Sequence, residues 1–466
     1  MKKKYSHSLI RSEQIERSKF KKRVATLMVM NMLCMSVIPA AVSAEQVTQV
    51  ATAATTSATT KASVSKVPSP DTLGLGVKSA VLMEASTGQI LLSVNADQAY
   101  APASMTKMMT EYIVSEKVKQ GELSWDEQVT VEKNASLSVG SRIFLAEGDK
   151  HSVKELYIAM AIGSANDATV ALAEHVAGSE EEFVKLMNAE AKRMGMNDTH
   201  FINSTGLNRN DMPEEFRPED ERETVMTAKD VAILTRYIVQ DHPDFAEFTS
   251  LQSYDFRGKD KIINWNWMLE ANKNITNFKK YAYEGLDGMK TGHTSDAGYC
   301  FAGTAERDGM RLISVVMGAA TEPGRFNETK KVLDYGYNNF EVKQVVAGKT
   351  TVTGAETAPV SKGKESTVPV VTEEAVNFIV PKGTESFEPE FTTNFEGEAL
   401  EAPIEAGTKA GTITYTYKVE GMDEVQEQTV NLVTSEKVEK AGWFRLMFRG
   451  IGDFFGDMFD SIKNLF

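Results

Sequence analysis

The chain has 466 residues, 42% of them hydrophobic and 25% charged, with a formal net charge of −14. That composition excludes a wholly disordered chain, and the length leaves room for more than one domain with its own core. Two cysteines and six scattered histidines give no disulfide framework and no metal-ligand spacing, so no metal or other cofactor is expected, and the acidic balance makes nucleic acid a poor partner.

Residues 1–23 carry nine Lys/Arg and two acids, and an apolar run from Val24 ends in Ala41-Val42-Ser43-Ala44. A basic start, an apolar stretch and small residues at 42 and 44 predict a signal peptide over residues 1–44, and with it export. Its removal would leave 42 basic and 63 acidic residues, net −21, and only Cys300 among the cysteines. Cys300 sits in a strand-like run and reads as a small buried apolar residue, with a reactive thiol as the other reading. Residues 45–70 are rich in Ala, Thr, Ser and Val, close with Pro68-Ser69-Pro70, and read as a flexible linker.

Two strand-like segments follow, Ser79 to Ala85 and Gln89 to Val94, around a Ser86-Thr87-Gly88 turn. The run from Pro102 to Ile113 reads as a helix beginning near Pro102, a residue tolerated in a first turn. On a helix, Ser104 and Lys107 share a face. A serine hydroxyl is a poor nucleophile until a base removes its proton, and a lysine serves as that base only when partly neutral. Burial or a second cation lowers a lysine pKa, and Lys290 is the candidate second cation. The helix N-terminus suits an oxyanion at the Ser104 amide. Ser-x-x-Lys recurs at Ser18/Lys21, Ser63/Lys66 and Ser361/Lys364, in a basic leader, a polar linker and a Gly/Lys turn, but only Ser104 opens an apolar helix.

Ser164-Ala165-Asn166 stands between the apolar stretch Leu156 to Gly163 and an apolar-rich helix, Ala168 to Val176. At such a junction the Ser164 hydroxyl can pass a proton and the Asn166 amide can hold a substrate carbonyl. The same residue types also cap helices. Residues 208–223 then read as an acidic surface loop or insertion.

Lys290-Thr291-Gly292 precedes two strand-like segments, Tyr299 to Ala305 and Met310 to Ala319, joined by Arg307-Asp308-Gly309 as a hairpin turn. A strand edge with a lysine, a hydroxyl and a side-chain-free Gly292 would let an extended peptide pair alongside. The His293 amide is a candidate second oxyanion donor. An ordinary edge strand bearing a charge has the same appearance. Strands at both ends with helices between predict an α+β fold, one antiparallel sheet with a helical cluster, over residues 71–343.

From about Val345 the chain changes to short Val/Thr-rich segments separated by Gly, Pro and Glu: Thr350 to Thr353, Thr367 to Val371, Val376 to Val380, Thr412 to Val419 and Glu427 to Val433. Residues 344–436 therefore read as a small all-β sandwich that serves as a spacer or interaction domain. In residues 437–466, Trp443, Met447, Ile451, Phe454, Met458, Ile462 and Leu465 recur at helical spacing, with charges on the other face. Charges are too frequent for a span, so an amphipathic helix in the membrane surface is expected. A helix packed on its own protein or in an oligomer interface is the competing reading.

The three motifs, in this order, with Tyr100-Ala101-Pro102-Ala103 before the first and Phe201-Ile202-Asn203-Ser204-Thr205-Gly206-Leu207 between the second and third, resemble the low-molecular-mass penicillin-binding proteins, the serine D-alanyl-D-alanine carboxypeptidases (peptidase S11). The resemblance covers roughly residues 71–340. It implies a penicillin-binding/β-lactamase-like transpeptidase domain. It implies Ser104 as nucleophile, Lys107 as base, and Ser164, Asn166 and Lys290 as the remaining proton network. Thr291, Gly292 and His293 would receive the substrate, with Thr291 and Arg325 on its terminal carboxylate; a solvated arginine would look the same at position 325. The implied partners are peptidoglycan stem peptides, β-lactams as covalent inhibitors, and the membrane surface. The alternatives on the same residues are a DD-endopeptidase, a β-lactamase, or a non-catalytic wall-binding scaffold.

Overall fold

The computed structural model describes residues 67–384, 387–419 and 425–446. The expected signal peptide, most of the linker and residues 447–466 of the amphipathic segment lie outside the described residues.

The chain enters with a hairpin, β1 (Ser79–Glu84) and β2 (Ile90–Val94), then makes a 3-10 turn, Ala103–Thr106, that leads into α1 (Lys107–Lys119). The expected helix therefore starts as a tighter turn, and Ser104 lies in it rather than in the α-helix proper. A small hairpin of β3 (Gln128–Thr130) and β4 (Lys150–Ser152) precedes α2 (Val153–Gly163), α3 (Asn166–Ala177), α4 (Glu180–Arg193) and α5 (Ala228–Asp241). After a second small hairpin, β5 (Ser253–Phe256) and β6 (Asp260–Ile263), come β7 (Leu286–Thr294), β8 (Gly298–Arg307), β9 (Met310–Ala319) and α6 (Glu322–Asn339).

β1, β2 and β7–β9 form one antiparallel sheet in the order β2-β1-β9-β8-β7. Its ends come from the two ends of the domain sequence, and the helices between them cover one face. The period-2 pattern sorts the side chains. Val81, Met83, Ile313 and Val315 pack with the helical cluster, where Met105, Met108 and Val231 also lie. Leu82, Leu312 and Val316 pack on the opposite face with Phe326, Val332 and Leu333 of α6. Asp308 and Gly309 both have positive φ, +49° and +76°, as a two-residue hairpin turn demands.

Helix α2 is apolar on all sides because it is buried on all sides, from Leu156 to Gly163. Ser152 and Glu155 close a reciprocal cap at its start, which fixes the register at which its other end reaches the site.

The second domain begins without a linker: α6 ends at Asn339 and β10 (Phe340–Val346) starts at the next residue. It continues with β11 (Thr357–Ser361), β12 (Thr367–Thr372), β13 (Val376–Pro381), β14 (Glu390–Phe395), β15 (Leu400–Glu401), β16 (Lys409–Tyr417) and β17 (Gln426–Thr434). A six-stranded sheet, β14-β16-β17-β12-β11-β15, and the pair β10-β13 share a core that includes Val368, Val370, Phe378, Val380, Ile413 and Leu432. The expected strand at Thr350 to Thr353 is absent. Gly354 at φ +89° turns the chain there, and only Val352 of that segment is buried. Phe340 and Ile379 pack into the outer core of the first domain, so the two share apolar contacts. Among the described residues no helix is long and apolar enough to cross a membrane.

Candidate active site

The 3-10 turn carrying Ser104 is shaped from both sides. Ala103 adopts φ +50°, a conformation that costs a non-glycine residue of order 1–3 kcal/mol and persists only where neighbours enforce it. One neighbour is Gly206, whose own φ is +81°: a Cβ there would lie 1.9 Å from the Ala103 carbonyl oxygen. The other is Gly292 on β7, where a Cβ would lie 2.6 Å from the Pro102 carbonyl oxygen and 3.3 Å from the Met105 nitrogen. Glycine at these two positions is what lets the serine turn, the 203–207 loop and the edge of β7 meet.

Lys107 opens α1 and is fully buried. Its Nζ lies 3.0 Å from Ser104 Oγ and donates to the Thr205 carbonyl oxygen at 2.7 Å. Burial, and then the nearby Lys290 ammonium, hold its pKa well below the usual lysine value. Lys290, on β7 and 1% exposed, is brought down to about 8 by burial, against the pull of Glu111 and with the help of Arg325. The site thus holds two buried amines, both with pKa values held below the usual lysine range.

The loop that receives Lys107 is built by Asn203. Its Oδ1 accepts from the Thr205 and Gly206 amides, and its Nδ2 donates to the Leu207 carbonyl. Glu180 accepts from the Ser204 amide and hydroxyl and from Asn134, tying the loop to α4.

Ser164 terminates α2 in a left-handed conformation, φ +57°, and Asn166 is the first residue of α3, with Ala165 between them at the cap position. Neither side chain caps α3, so the capping alternative fails here. The strained turn instead holds both in the cleft wall, nearly buried. Asn166 Nδ2 donates to the Val139 carbonyl at 2.6 Å, while its Oδ1 is buried without a partner. The amide nitrogen has a second N–H beyond the one given to Val139, so Asn166 keeps both a donor and an acceptor, and the expectation that its amide holds a substrate carbonyl stands open. Asp167 accepts from the Ile143 and Leu145 amides and so pins the 138–146 loop against the start of α3.

β7 is the outer strand of its sheet. Lys290, Thr291 and Gly292 pair with Ala302, Phe301 and Cys300 of β8, which leaves the other edge of β7 facing the serine turn. Thr291 is nearly buried; His293 is exposed, its ring stacked on Tyr299 at 4.1 Å. Arg325 is not a solvated arginine. It is 3% exposed, donates to the Gly292 carbonyl at 3.3 Å, pairs with Glu322 at 3.0 Å, and keeps Nε unpartnered. Cys300 is buried and its thiol is pushed up to about 11 by burial, which agrees with an inert apolar residue.

Three contributors were missed in the sequence. The Thr205 carbonyl is a backbone group and leaves no trace in residue identity. Asp167 and Glu111 do leave one, as carboxylates inside otherwise buried helical stretches. The acidic 208–223 segment forms two short 3-10 turns held by His200–Asp220 and Lys133–Glu215 pairs, and Asn208 donates to Asp296 just beyond β7.

A serine–lysine pair beneath the edge of an antiparallel sheet, with a helical lobe on one face, is the arrangement of a serine hydrolase with a buried amine beside its serine. The D-alanyl-D-alanine carboxypeptidase (peptidase S11) family matches residues 30–321, and the C-terminal domain of penicillin-binding protein 5 matches residues 340–440. The D-alanyl-D-alanine carboxypeptidase DacF of Bacillus subtilis (strain 168) is 33% identical over 377 residues, covering 81% of this chain and 89% of the relative. DacD of Salmonella typhimurium is 34% identical over 401 residues, 84% and 93%. Among solved structures, a peptidoglycan synthesis regulatory factor (PBP3) from Streptococcus pneumoniae aligns with TM-score 0.69 at 32% identity, over 78% of this chain and all of that one. Penicillin-binding protein 5 from Haemophilus influenzae aligns with TM-score 0.62 at 32% identity, over 78% and 98%. The chain belongs to the serine-type D-alanyl-D-alanine carboxypeptidase family, with the all-β C-terminal domain of penicillin-binding protein 5.

Proposed function

We propose that this carboxypeptidase trims peptidoglycan stem pentapeptides through an acyl-enzyme on Ser104. The observation that carries the assignment is the 3.0 Å contact between Ser104 Oγ and a fully buried Lys107 amine. Neutral Lys107 takes the Ser104 proton as Oγ attacks the carbonyl of the penultimate D-Ala. The C–N bond to the terminal D-Ala breaks, and Ser164 relays the proton to the leaving amine. Water then attacks the ester and Ser104 recovers its proton. The Ser104 and His293 amides receive the oxyanion. The substrate backbone lies along the free edge of β7, and the N–H of Asn166 that Val139 does not take is available to a substrate carbonyl. Thr291 binds the terminal carboxylate, and Arg325 supports it from behind Gly292. β-Lactams acylate the same serine.

The setting we infer is the outer face of the cytoplasmic membrane. A signal peptide would deliver the chain there, and the terminal amphipathic helix would hold it. Its first turn, 443–446, exposes Trp443 and Phe444 with their rings stacked at 3.8 Å. Deletion of residues 440–466 should abolish liposome binding; unchanged binding would remove the helix as anchor.

The decisive experiment incubates the full chain, and its Ser104→Ala variant, with a peptide ending in D-Ala-D-Ala and follows the peptide mass. Loss of one alanine with the parent chain alone establishes reaction and nucleophile. Loss with both proteins would move the nucleophile elsewhere, and loss with neither would withdraw the substrate.

A further inference from the structure

The 138–146 loop brings together three features that the reaction scheme above does not use: an exposed ring, a strained backbone and an arginine without a carboxylate. Phe144 is 73% exposed and holds φ +59°, a conformation unfavourable for a bulky side chain. Its neighbours enforce it. Asp167, 1% exposed, accepts from the amides on either side, Ile143 and Leu145, at 3.0 Å each, and the clamp turns the ring out into water. The same loop is tied to the Ser164–Asn166 turn at three more points. The Asn166 amide donates to the Ser141 carbonyl at 2.7 Å, Ser141 Oγ donates to the Gly163 carbonyl at 2.9 Å, and Asn166 Nδ2 donates to the Val139 carbonyl. Gly140 lies against the Asn166 side chain, where a Cβ would stand 3.0 Å from Nδ2. A loop held this firmly gains nothing for its own stability from an exposed aromatic ring.

The ring supports a cation. The Arg142 guanidinium carbon lies 4.9 Å from its centroid, and Nη1 donates to the Ser138 carbonyl at 3.0 Å. Both contacts orient the guanidinium and neither neutralises it. Among the described residues Arg142 has no ion pair, whereas Arg193, Arg222, Arg257, Arg311 and Arg325 each have a carboxylate partner. Its other N–H donors are free. Its Ser138 anchor precedes Val139, whose carbonyl holds the Asn166 amide, so the cation stands beside the Ser164–Asn166 wall of the cleft.

We propose that Arg142, seated on Phe144, is a specificity-determining residue that receives a carboxylate from one of the two residues preceding D-Ala-D-Ala in the substrate. The inference rests on the carboxypeptidase reading and names a substrate class within it: stem peptides whose upstream carboxylate is free rather than amidated. The terminal carboxylate is already provided for on the β7 side, by Thr291 and Arg325. Asn166 offers its remaining N–H to a substrate carbonyl, and an extended peptide advances about 3.3 Å per residue, so the residues next upstream pass the 138–142 stretch. A guanidinium held by a ring and a carbonyl is preorganised for a planar anion with two oxygens. An amide in the place of that anion keeps its shape and loses its charge.

The test is D-alanine release by the full chain from two matched pairs of peptides. One pair carries a γ-linked D-glutamate as the second residue before D-Ala-D-Ala, its α-carboxyl free or amidated. The other carries a diamino dicarboxylic residue directly before D-Ala-D-Ala, its side-chain carboxyl free or amidated. The terminal carboxylate is common to all of them, so the acid-to-amide ratio of kcat/KM isolates the upstream group. In at least one pair that ratio should be about fivefold at low salt and shrink toward one at about 0.5 M salt, and the pair that shows it locates the carboxylate. Arg142→Gln should bring the ratio to one, Arg142→Lys should keep part of it, and Arg142→Glu should invert it. Phe144→Ala should lower it with the cation still present. A ratio of one in both pairs overturns the proposal, as does a ratio unchanged by Arg142→Gln. Arg142 variants that lose rate equally on acid and amide would show a merely structural role and overturn it too. If the parent chain releases D-alanine from none of the peptides, the carboxypeptidase reading itself fails and carries this inference with it.

Discussion

The two domains treat charge in opposite ways. The carboxypeptidase domain buries Lys107, Lys290, Glu111, Asp167, Glu180 and Arg325 around the site, and Glu84 and Asp230 away from it. The all-β domain, among its described residues, buries no Lys, Arg, Asp or Glu; its buried polar groups are Thr372, Thr384, Gln426 and Thr434. A domain that only has to fold keeps its ions in water, where pairs such as Lys362–Glu401 contribute little. A domain that moves protons accepts the desolvation cost, because only there can an amine be neutral near physiological pH.

The sharpest way to test that contrast is to remove a buried ion. Lys107→Met, close in length and apolar, should lower the rate of β-lactam acylation by on the order of 10⁴-fold while circular dichroism stays unchanged. A fall of less than about tenfold would remove Lys107 as the base. Next in size is a change that touches no ion. Gly292→Ala places a Cβ 2.6 Å from the Pro102 carbonyl oxygen, so β7 and the serine turn must part. A displacement near 1 Å should cost about 10²-fold in kcat/KM, read as D-Ala release.

The pH profile follows. Lys290 loses its proton near pH 8, so kcat/KM should fall about tenfold per unit above that value, and the fall should disappear in Lys290→Arg. The acidic limb marks protonation of Lys107, whose folded value is depressed; activity is present above that pKa and lost below it. In the all-β domain the expectation reverses. Phe378→Ala should cost about 3–5 kcal/mol of stability, seen in denaturant unfolding, and leave kcat/KM on a short peptide unchanged. Smallest of all, Lys362→Ala should leave the melting temperature where it was.

Much of the site was legible because acyl transfer restricts residue types at fixed spacing. The serine and lysine three apart, the second lysine on a strand and the hairpin at Asp308-Gly309 are local patterns, and all stand where the sequence put them. What escaped depends on chain segments far apart. The Thr205 carbonyl meets Lys107 across 98 positions, and nothing in either residue announces it. The bond from Asn166 Nδ2 to the Val139 carbonyl, which orients that amide, likewise joins segments 27 positions apart. The all-β topology was equally hidden. β10 pairs with β13, and β11 pairs in parallel with the two-residue β15; Val/Thr patterning does not encode such choices. The same patterning suggested a strand at 350–353, where Gly354 bends the chain instead.

The direct passage from α6 into β10 has one more consequence. With Asn339 and Phe340 adjacent, and Phe340 seated in the core of the first domain, there is no slack at the junction. The helix that meets this seam begins three residues before Arg325, behind the β7 edge. Whatever grips the second domain therefore also sets the bearing of the cleft, like a lamp fixed to its bracket. A glycine-serine insertion between residues 339 and 340 would leave the chemistry on a free peptide intact and cost the enzyme its aim at an immobile polymer.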